Sequence, residues 1–329
     1  MGAEHRPLSW QNSEWQSMLE RVARGELAHA FLLKGMQGIG KLHFAKAFAS
    51  WLLCASPVES FACGQCKGCF LVEAGSHPDL LTIEPEKVGG AIKVDQIRKL
   101  NIFVRQTAQQ GGRRVIIVSP AEVMNVNASN ALLKSLEEPG AETMFFLVSH
   151  RWGDVLATIR SRCQSLNFRV PAHDEAMKWL MEQSEDNADI LLNLASGAPL
   201  EAVSMGTQGV IAQRAELINS MESLFRGDLT PVDIAKGWQK MNVSLILVWL
   251  ADLLGDVVRF SLTGGQSHIR NKDASKLIQY LARKIAGVRQ VMILRDWLIN
   301  QRQIIATGGN LNGQMMMEGA FCRFIELVL

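Results

Sequence analysis

The chain of 329 residues carries a net charge of +2, with 48% hydrophobic and 20% charged residues. That balance excludes a disordered or membrane-embedded protein and provides no broad electrostatic attraction to DNA or anionic lipid. The length exceeds one core of ordinary size and implies two or three domains.

The opening residues MGAEHRPLSWQNSEW lack the apolar stretch of a secretory signal, and Arg6 stands where myristoylation needs Ser or Thr. The longest apolar run, Val243–Ala251, meets Asp252 before it could span a bilayer. A cytoplasmic protein without membrane contact is expected. Glu14–Arg24 then reads as a helix with Trp15, Met18, Leu19 and Val22 on one face, closed by Gly25. The apolar run Ala30–Leu33 predicts a buried strand. It feeds KGMQGIGKL, residues 34–42, and a helix over Leu42–Leu53.

A strand, a Gly-rich turn and a helix form the arrangement in which backbone N–H groups cradle phosphate. Gly35, Gly40 and Lys41 fit Gly-x-x-x-x-Gly-Lys, and Gly38 adds a flexible position. The next residue should offer a hydroxyl to Mg²⁺, but Leu42 stands there. The plainer alternative is a connection without a ligand, in which Lys41 only neutralises a helix or a carboxylate. Next come Cys54, Cys63, Cys66 and Cys69, four of the six cysteines within sixteen residues. A reducing compartment disfavours disulfides, and the C-x-x-C-x-x-C run with a fourth thiol fits a closed structural zinc cage. Iron–sulfur ligation and a redox pair are the alternatives; the first usually continues to a cysteine followed by proline, which is absent.

Asp79–Ile83 predicts a second strand, and the helix beginning near Ile92 takes Asp95 as its N-cap, with Ile97, Leu100, Phe103 and Val104 inward. Val115–Val118 is a third strand. Active NTPases of this kind end it in Asp and Glu, which hold Mg²⁺ and orient water, where this chain has Ser119 and Pro120. Glu122 lies two residues on, though spacing alone makes it no substitute. Asn127 can cap the helix of ASNALLKSLEEPG, and Thr143–Val148 is a fourth strand with Ser149–His150 at its C-terminal end, on the ligand side of such sheets. Strands alternating with helices over residues 30–170 predict an α/β fold, a parallel sheet flanked by helices.

Beyond Val170 the pattern becomes helical, over Asp174–Glu182, Ala188–Ala195, Val210–Phe225, Pro231–Gln239, Ser244–Ser261, Ala274–Ile285, Val288–Leu298 and Gln314–Val328. Ser244–Ser261 is apolar on most faces and belongs at the centre of a bundle. Thr307–Gln314 reads as a flexible connection.

Together HAFLLKGMQGIGK, the cysteine insertion, HPDLLTIEPE with IKVDQIR, ASNALLKSLEEP and IRSRCQ resemble the delta-prime subunit family of bacterial DNA polymerase III clamp loaders, over most of the chain. The resemblance implies an AAA+ core at 1–170 with a zinc-binding insertion at 54–69, a small helical lid at 171–207 and an all-α collar for oligomerisation at 208–329. It implies motor subunits and a delta-type subunit as partners in a ring, which places a sliding clamp on primer–template DNA within the DNA polymerase III holoenzyme. By the same resemblance Arg162, in Ser161–Arg162–Cys163, is an arginine finger acting in trans on a neighbouring motor's ATP. Arginine suits that role because its planar fork stays charged. The bland alternative is a surface arginine in a local salt bridge, and Cys163 reads as a small packing residue. The family's motors carry a lid arginine where this chain has Leu200 and Glu201 near Gly197–Pro199. ATP and Mg²⁺ are therefore not expected to bind productively. The competing readings are an active clamp-loader ATPase motor and a zinc-dependent nucleic-acid-binding protein, the latter thinly supported by Lys67, Phe61 and Phe70.

Overall fold

The computed structural model describes residues 5–87, 89–110, 112–183, 186–238, 241–265, 269–285, 287–306 and 312–328. Two compact units emerge. One holds the residues up to Trp179 together with Gly197–Glu201, and the other holds Leu180–Ser196 with Ala202 onward.

The first unit is built on five strands: β1 (Ala30–Lys34), β2 (Leu80–Ile83), β3 (Arg114–Val118), β4 (Thr143–Ser149) and β5 (Gln164–Asn167). All pairings are parallel and the spatial order is β2-β3-β4-β1-β5. The expected α/β class with a parallel sheet is thus present. Every residue of β3 and β4 is buried, because parallel strands need cover on both faces. Strand alternation divides the apolar side chains between two layers. Leu32, Ile116, Phe145 and Leu147 pack with α4 (Val94–Arg105) and α5 (Val126–Glu137) through Ile97, Leu100, Leu132 and Leu136. On the other face Phe31 stacks on Phe146. That ring meets Phe48 of α2 (Lys41–Leu52), and Phe48 in turn meets Trp15 of α1 (Asn12–Ala23). Edge-to-face and offset pairs of this kind add roughly 0.5–1.5 kcal/mol each beyond burial.

Several local expectations need correction. Asn125, not Asn127, caps α5, its side chain accepting from the Ala128 N–H at 2.8 Å. Lys93, not Asp95, precedes α4, and its backbone N–H donates to Gln96 Oε1 at 3.0 Å. The edge strand β5 was not foreseen. Three of its four residues are exposed and polar, so it carries no apolar signature.

Shorter helices are α3 (Lys67–Glu73) before β2, α6 (Ala157–Arg160) before β5, and, following β5, α7 (His173–Glu182), α8 (Ala188–Leu194) and α9 (Pro199–Thr207). The last was also missed, because Pro199 reads as a breaker although proline is well suited to the first helical position. The second unit is then all helical, with α10 (Val210–Arg226), α11 (Pro231–Gly237), α12 (Val243–Thr263), α13 (Ser275–Lys284), α14 (Val288–Ala306) and α15 (Gly313–Val328). α14 runs past Leu298 because Ile299, Ile304 and Ile305 keep an apolar stripe going. α12 is buried along Ile246, Leu247, Trp249, Leu250, Leu253, Leu254 and Val257, as its apolar faces require. Gln239 and residues 307–311 of the expected connection lie outside the described residues. Among the described residues no helix is long and apolar enough to cross a membrane.

Candidate functional site

The Gly-rich turn links β1 to α2 through two left-handed glycines, Gly38 at φ 76° and Gly40 at φ 90°. A Cβ at Gly38 would sit 2.4 Å from Glu201 Cβ and 2.8 Å from Glu201 N, so a side chain is excluded by contact as well as by φ. The Leu200 N–H donates to the Gly38 carbonyl at 3.0 Å. On the opposite side the fully buried Gln11 donates from Nε2 to the carbonyls of Ile39 (3.2 Å) and Gly40 (2.9 Å), and Trp10 Nε1 donates to Ile39 O at 3.0 Å. Lys41 is 2% exposed and turns back on its own loop, its Nζ donating to Gly35 O at 2.7 Å and Met36 O at 2.5 Å. The structure therefore brings Gly35, Gly38, Gly40 and Lys41 into one turn whose carbonyls are met by the chain itself. Leu42 is half-buried beside them.

The C-terminal ends of β3 and β4 supply the neighbouring groups. Ser119 is buried and donates its backbone N–H to Ile83 O at 3.0 Å. Glu122 Oε1 accepts from the backbone N–H groups of His150 (3.0 Å) and Arg151 (3.3 Å), a role spacing could not reveal. Glu122 Oε2, Ser149 Oγ and His150 Nδ1 are buried with no hydrogen-bond partner among the described residues. Burial, and next the nearby Lys41 ammonium, push His150 down to about 4. Glu122 is the carboxylate whose charge acts on Lys41, whereas Glu201 packs over Gly38 and accepts from Gln37 Nε2 at 3.4 Å.

Arg162 lies between α6 and β5. Its Nη2 meets Glu137 Oε1 at 2.5 Å, and Nη1 donates to Thr158 O at 2.9 Å. The side chain stays 35% exposed, so the local salt bridge offered by the plainer reading forms without burying the guanidinium. An exposed pair of this kind is worth about 0–1 kcal/mol and opens readily. No hydrogen bond or ion pair joins Arg162 to the Gly-rich turn among the described residues. Cys163 is buried, and burial pushes its thiol up to about 12, which makes it an inert packing residue.

Cys54, Cys63, Cys66 and Cys69 converge, their sulfurs all within 4.8 Å of one another. Adjacent sulfurs lie 3.5 Å (Cys54–Cys63), 3.8 Å (Cys54–Cys66), 3.9 Å (Cys63–Cys69) and 3.5 Å (Cys66–Cys69) apart, too far for disulfides. Backbone N–H groups point at them: Cys63 N at Cys54, Gln65 N and Cys66 N at Cys63, and Cys69 N at Cys66. The Gln65 N–H in particular draws Cys63 down to about 6, while burial raises Cys69. Four soft donors in this arrangement can bind a metal ion.

A sequence profile described as DNA polymerase III, delta subunit, matches residues 10–172, and one described as its C terminal matches residues 208–326. DNA polymerase III subunit delta' of Pseudomonas aeruginosa is 39% identical over 322 residues, spanning 97% of each chain. The chain belongs to the delta-prime subunit family of DNA polymerase III. Other delta-prime relatives include that of Haemophilus influenzae, 36% identical over 97% of each chain, and that of Escherichia coli, 30% identical over 95% of this chain and 94% of its own.

For a delta-prime chain the least expected contributors to the turn are Gln11, Leu200 and Glu201. They come from segments 28 and more residues away in sequence, and no local motif marks them. Their cover has a titratable consequence. Burial first of all, partly offset by the Glu122 carboxylate, brings Lys41 from 10.5 down to about 8. Between these values the unfolded chain holds a proton that the folded chain has released, so this residue's contribution to stability rises with pH across that window. Relative to Lys41→Met, wild type should gain on the order of 3 kcal/mol between pH 8 and pH 10.5 in urea unfolding. A stability difference independent of pH would contradict burial of the ammonium.

Proposed function

We propose that this chain is a non-hydrolysing member of the DNA polymerase III clamp loader that offers Arg162 in trans to the ATP of a neighbouring motor subunit. The observation that carries this reading is Lys41 turned onto its own loop, in a cradle where the side chains of Leu42 and Pro120 offer no oxygen and Ser119 offers no carboxylate. Arg162, by contrast, is half-exposed and permanently charged, held by a weak surface pair with Glu137 and one bond to the Thr158 carbonyl. Its two N–H edges would neutralise charge on the transferring phosphoryl group, while the motor supplies Mg²⁺ and water. On this reading residues 1–170 form the core, 171–207 the lid and 208–329 the collar that holds the ring. The chain then acts with motor and delta-type subunits, in the cytoplasm, to set a sliding clamp on primed DNA. Purified alone, the chain should show no Mg²⁺-dependent ATP turnover above buffer. Measurable turnover would instead favour an active motor using Glu122, whose free Oε2 beside Lys41 is the one feature favouring that alternative.

Zinc is the metal proposed for the cysteine cluster. Four thiolates about 2.3 Å from a central ion stand about 3.8 Å apart along tetrahedral edges; four of the six sulfur pairs lie at 3.5–3.9 Å, and all six lie within 4.8 Å. With all four positions filled by sulfur, the site would be structural and would offer no vacancy to substrate. The purified protein should contain about one zinc per chain, and Cys66→Ser should lose it. Chelation should lower the melting temperature by several degrees and render the thiols reactive. Four freely reactive thiols in native, metal-free protein of unchanged stability would contradict the assignment.

A further inference from the structure

Trp152 is 49% exposed on the short turn after β4, yet two cations rest on its ring. Lys34 Nζ, from the end of β1, lies 4.7 Å from the ring centroid, and the Arg160 guanidinium of α6 lies 5.3 Å from it. Neither cation has an ion pair among the described residues. The acidic side chain of that turn, Asp154, is already engaged by Arg151 at 3.3 Å. The indole therefore gathers two like charges that repel one another, and an arriving polyanion would relieve that repulsion. Arg162, two residues beyond Arg160, differs in having its charge met by Glu137.

The geometry points to Lys34 and Arg160, held by Trp152, as a capture site for the triphosphate of the nucleotide on the neighbouring subunit, separate from the rate-promoting contact of Arg162. This rests on the reading that Arg162 faces that nucleotide. A compact triphosphate suits the site because its several charges can be shared between two cations that each lie about 5 Å from one ring centroid. A duplex-binding face would need roughly 6–10 phosphate contacts, which a chain of net charge +2 with one two-cation patch does not supply. Cations that engage the triphosphate equally in the ground state and the transition state alter KM and leave kcat alone.

The test is ATP titration of the hetero-oligomer assembled with its motor subunits, comparing wild type, Arg160→Gln, Lys34→Gln, Trp152→Leu and Arg162→Ala, with assembly checked by size exclusion. Arg160→Gln and Lys34→Gln should each raise KM about five- to tenfold at unchanged kcat. Trp152→Leu should do the same, Trp152→Phe should restore KM by restoring a ring face, and Arg162→Ala should lower kcat instead. An unchanged KM in the charge variants overturns the inference even where Arg162→Ala cuts kcat. So does an unchanged KM accompanied by weaker, less salt-dependent DNA binding, which would assign the patch to the DNA backbone. An unchanged kcat in Arg162→Ala would instead overturn the trans-acting reading of Arg162 itself.

Discussion

Asp256→Ala is expected to lower the unfolding free energy of the helical unit by about 3–5 kcal/mol. Asp256 sits fully buried on α12 and is satisfied from several directions. Its Oδ1 accepts from Arg259 Nε (2.9 Å), Arg259 Nη2 (2.5 Å) and Arg270 N (3.1 Å), and its Oδ2 accepts from Asn271 N (2.8 Å) and Asn271 Nδ2 (2.5 Å). Asn271 Oδ1 in turn accepts from Arg214 Nη2 at 2.6 Å, and Arg214 Nε donates to Asp273 at 2.5 Å. Arg214 is 1% exposed, with its guanidinium near the Trp249 ring. Removing the carboxylate leaves the donors of Arg259, Arg270 and Asn271 unmet at once and takes from Asn271 the anchor that orients it toward Arg214, which costs far more than any one hydrogen bond contributes. Asp256→Asn keeps one carbonyl acceptor and should lose less, about 1–3 kcal/mol. Urea unfolding followed by tryptophan fluorescence reports both changes, with Trp249 close to the network. A loss below about 1 kcal/mol for Asp256→Ala would show that the network is not a structural pin.

This network illustrates what a one-dimensional reading leaves out. Arg214 and Asp273 are 59 positions apart, and Asp256 meets Arg270 across 14, so no periodicity or motif announces the group. The cysteine cluster was legible because its four thiols fall within sixteen residues and their spacing lets them converge. The parallel sheet was legible through its β-branched and aromatic runs, whereas β5 was not, since an edge strand of Gln, Ser, Leu and Asn buries a single side chain. At α5 the segment NVNASN offers more than one asparagine near the helix start, and only the backbone conformation and the bond from the Ala128 N–H show that Asn125 takes the cap. The glycines of the turn were readable, but what lies over them was not. Glu201 against Gly38 and Gln11 against Gly40 are tertiary contacts between segments with no common pattern. Arg162 was readable as a residue and a local salt bridge as one of two alternatives for it, but nothing in the sequence names Glu137 as the partner.

That pairing bears directly on the proposed trans-acting role. Freeing Arg162 from Glu137 forfeits about 0–1 kcal/mol, whereas an arginine supplied in trans accelerates phosphoryl transfer by about 10³–10⁵, roughly 4–7 kcal/mol of barrier. The exchange is favourable by several kcal/mol, so the resting ion pair does not oppose the function. Glu137→Gln should accordingly leave stimulation intact. Arg162→Lys should fail nearly as badly as Arg162→Ala, because a point charge cannot reproduce the planar fork. The decisive measurement is ATP turnover by the motor subunits on addition of wild-type chain or of Arg162→Ala, in complexes shown to assemble equally. The account predicts stimulation by wild type and a loss of at least about a thousandfold at the site facing Arg162 in the variant. Equal turnover in the two assembled complexes would contradict it and leave the chain with an architectural role alone.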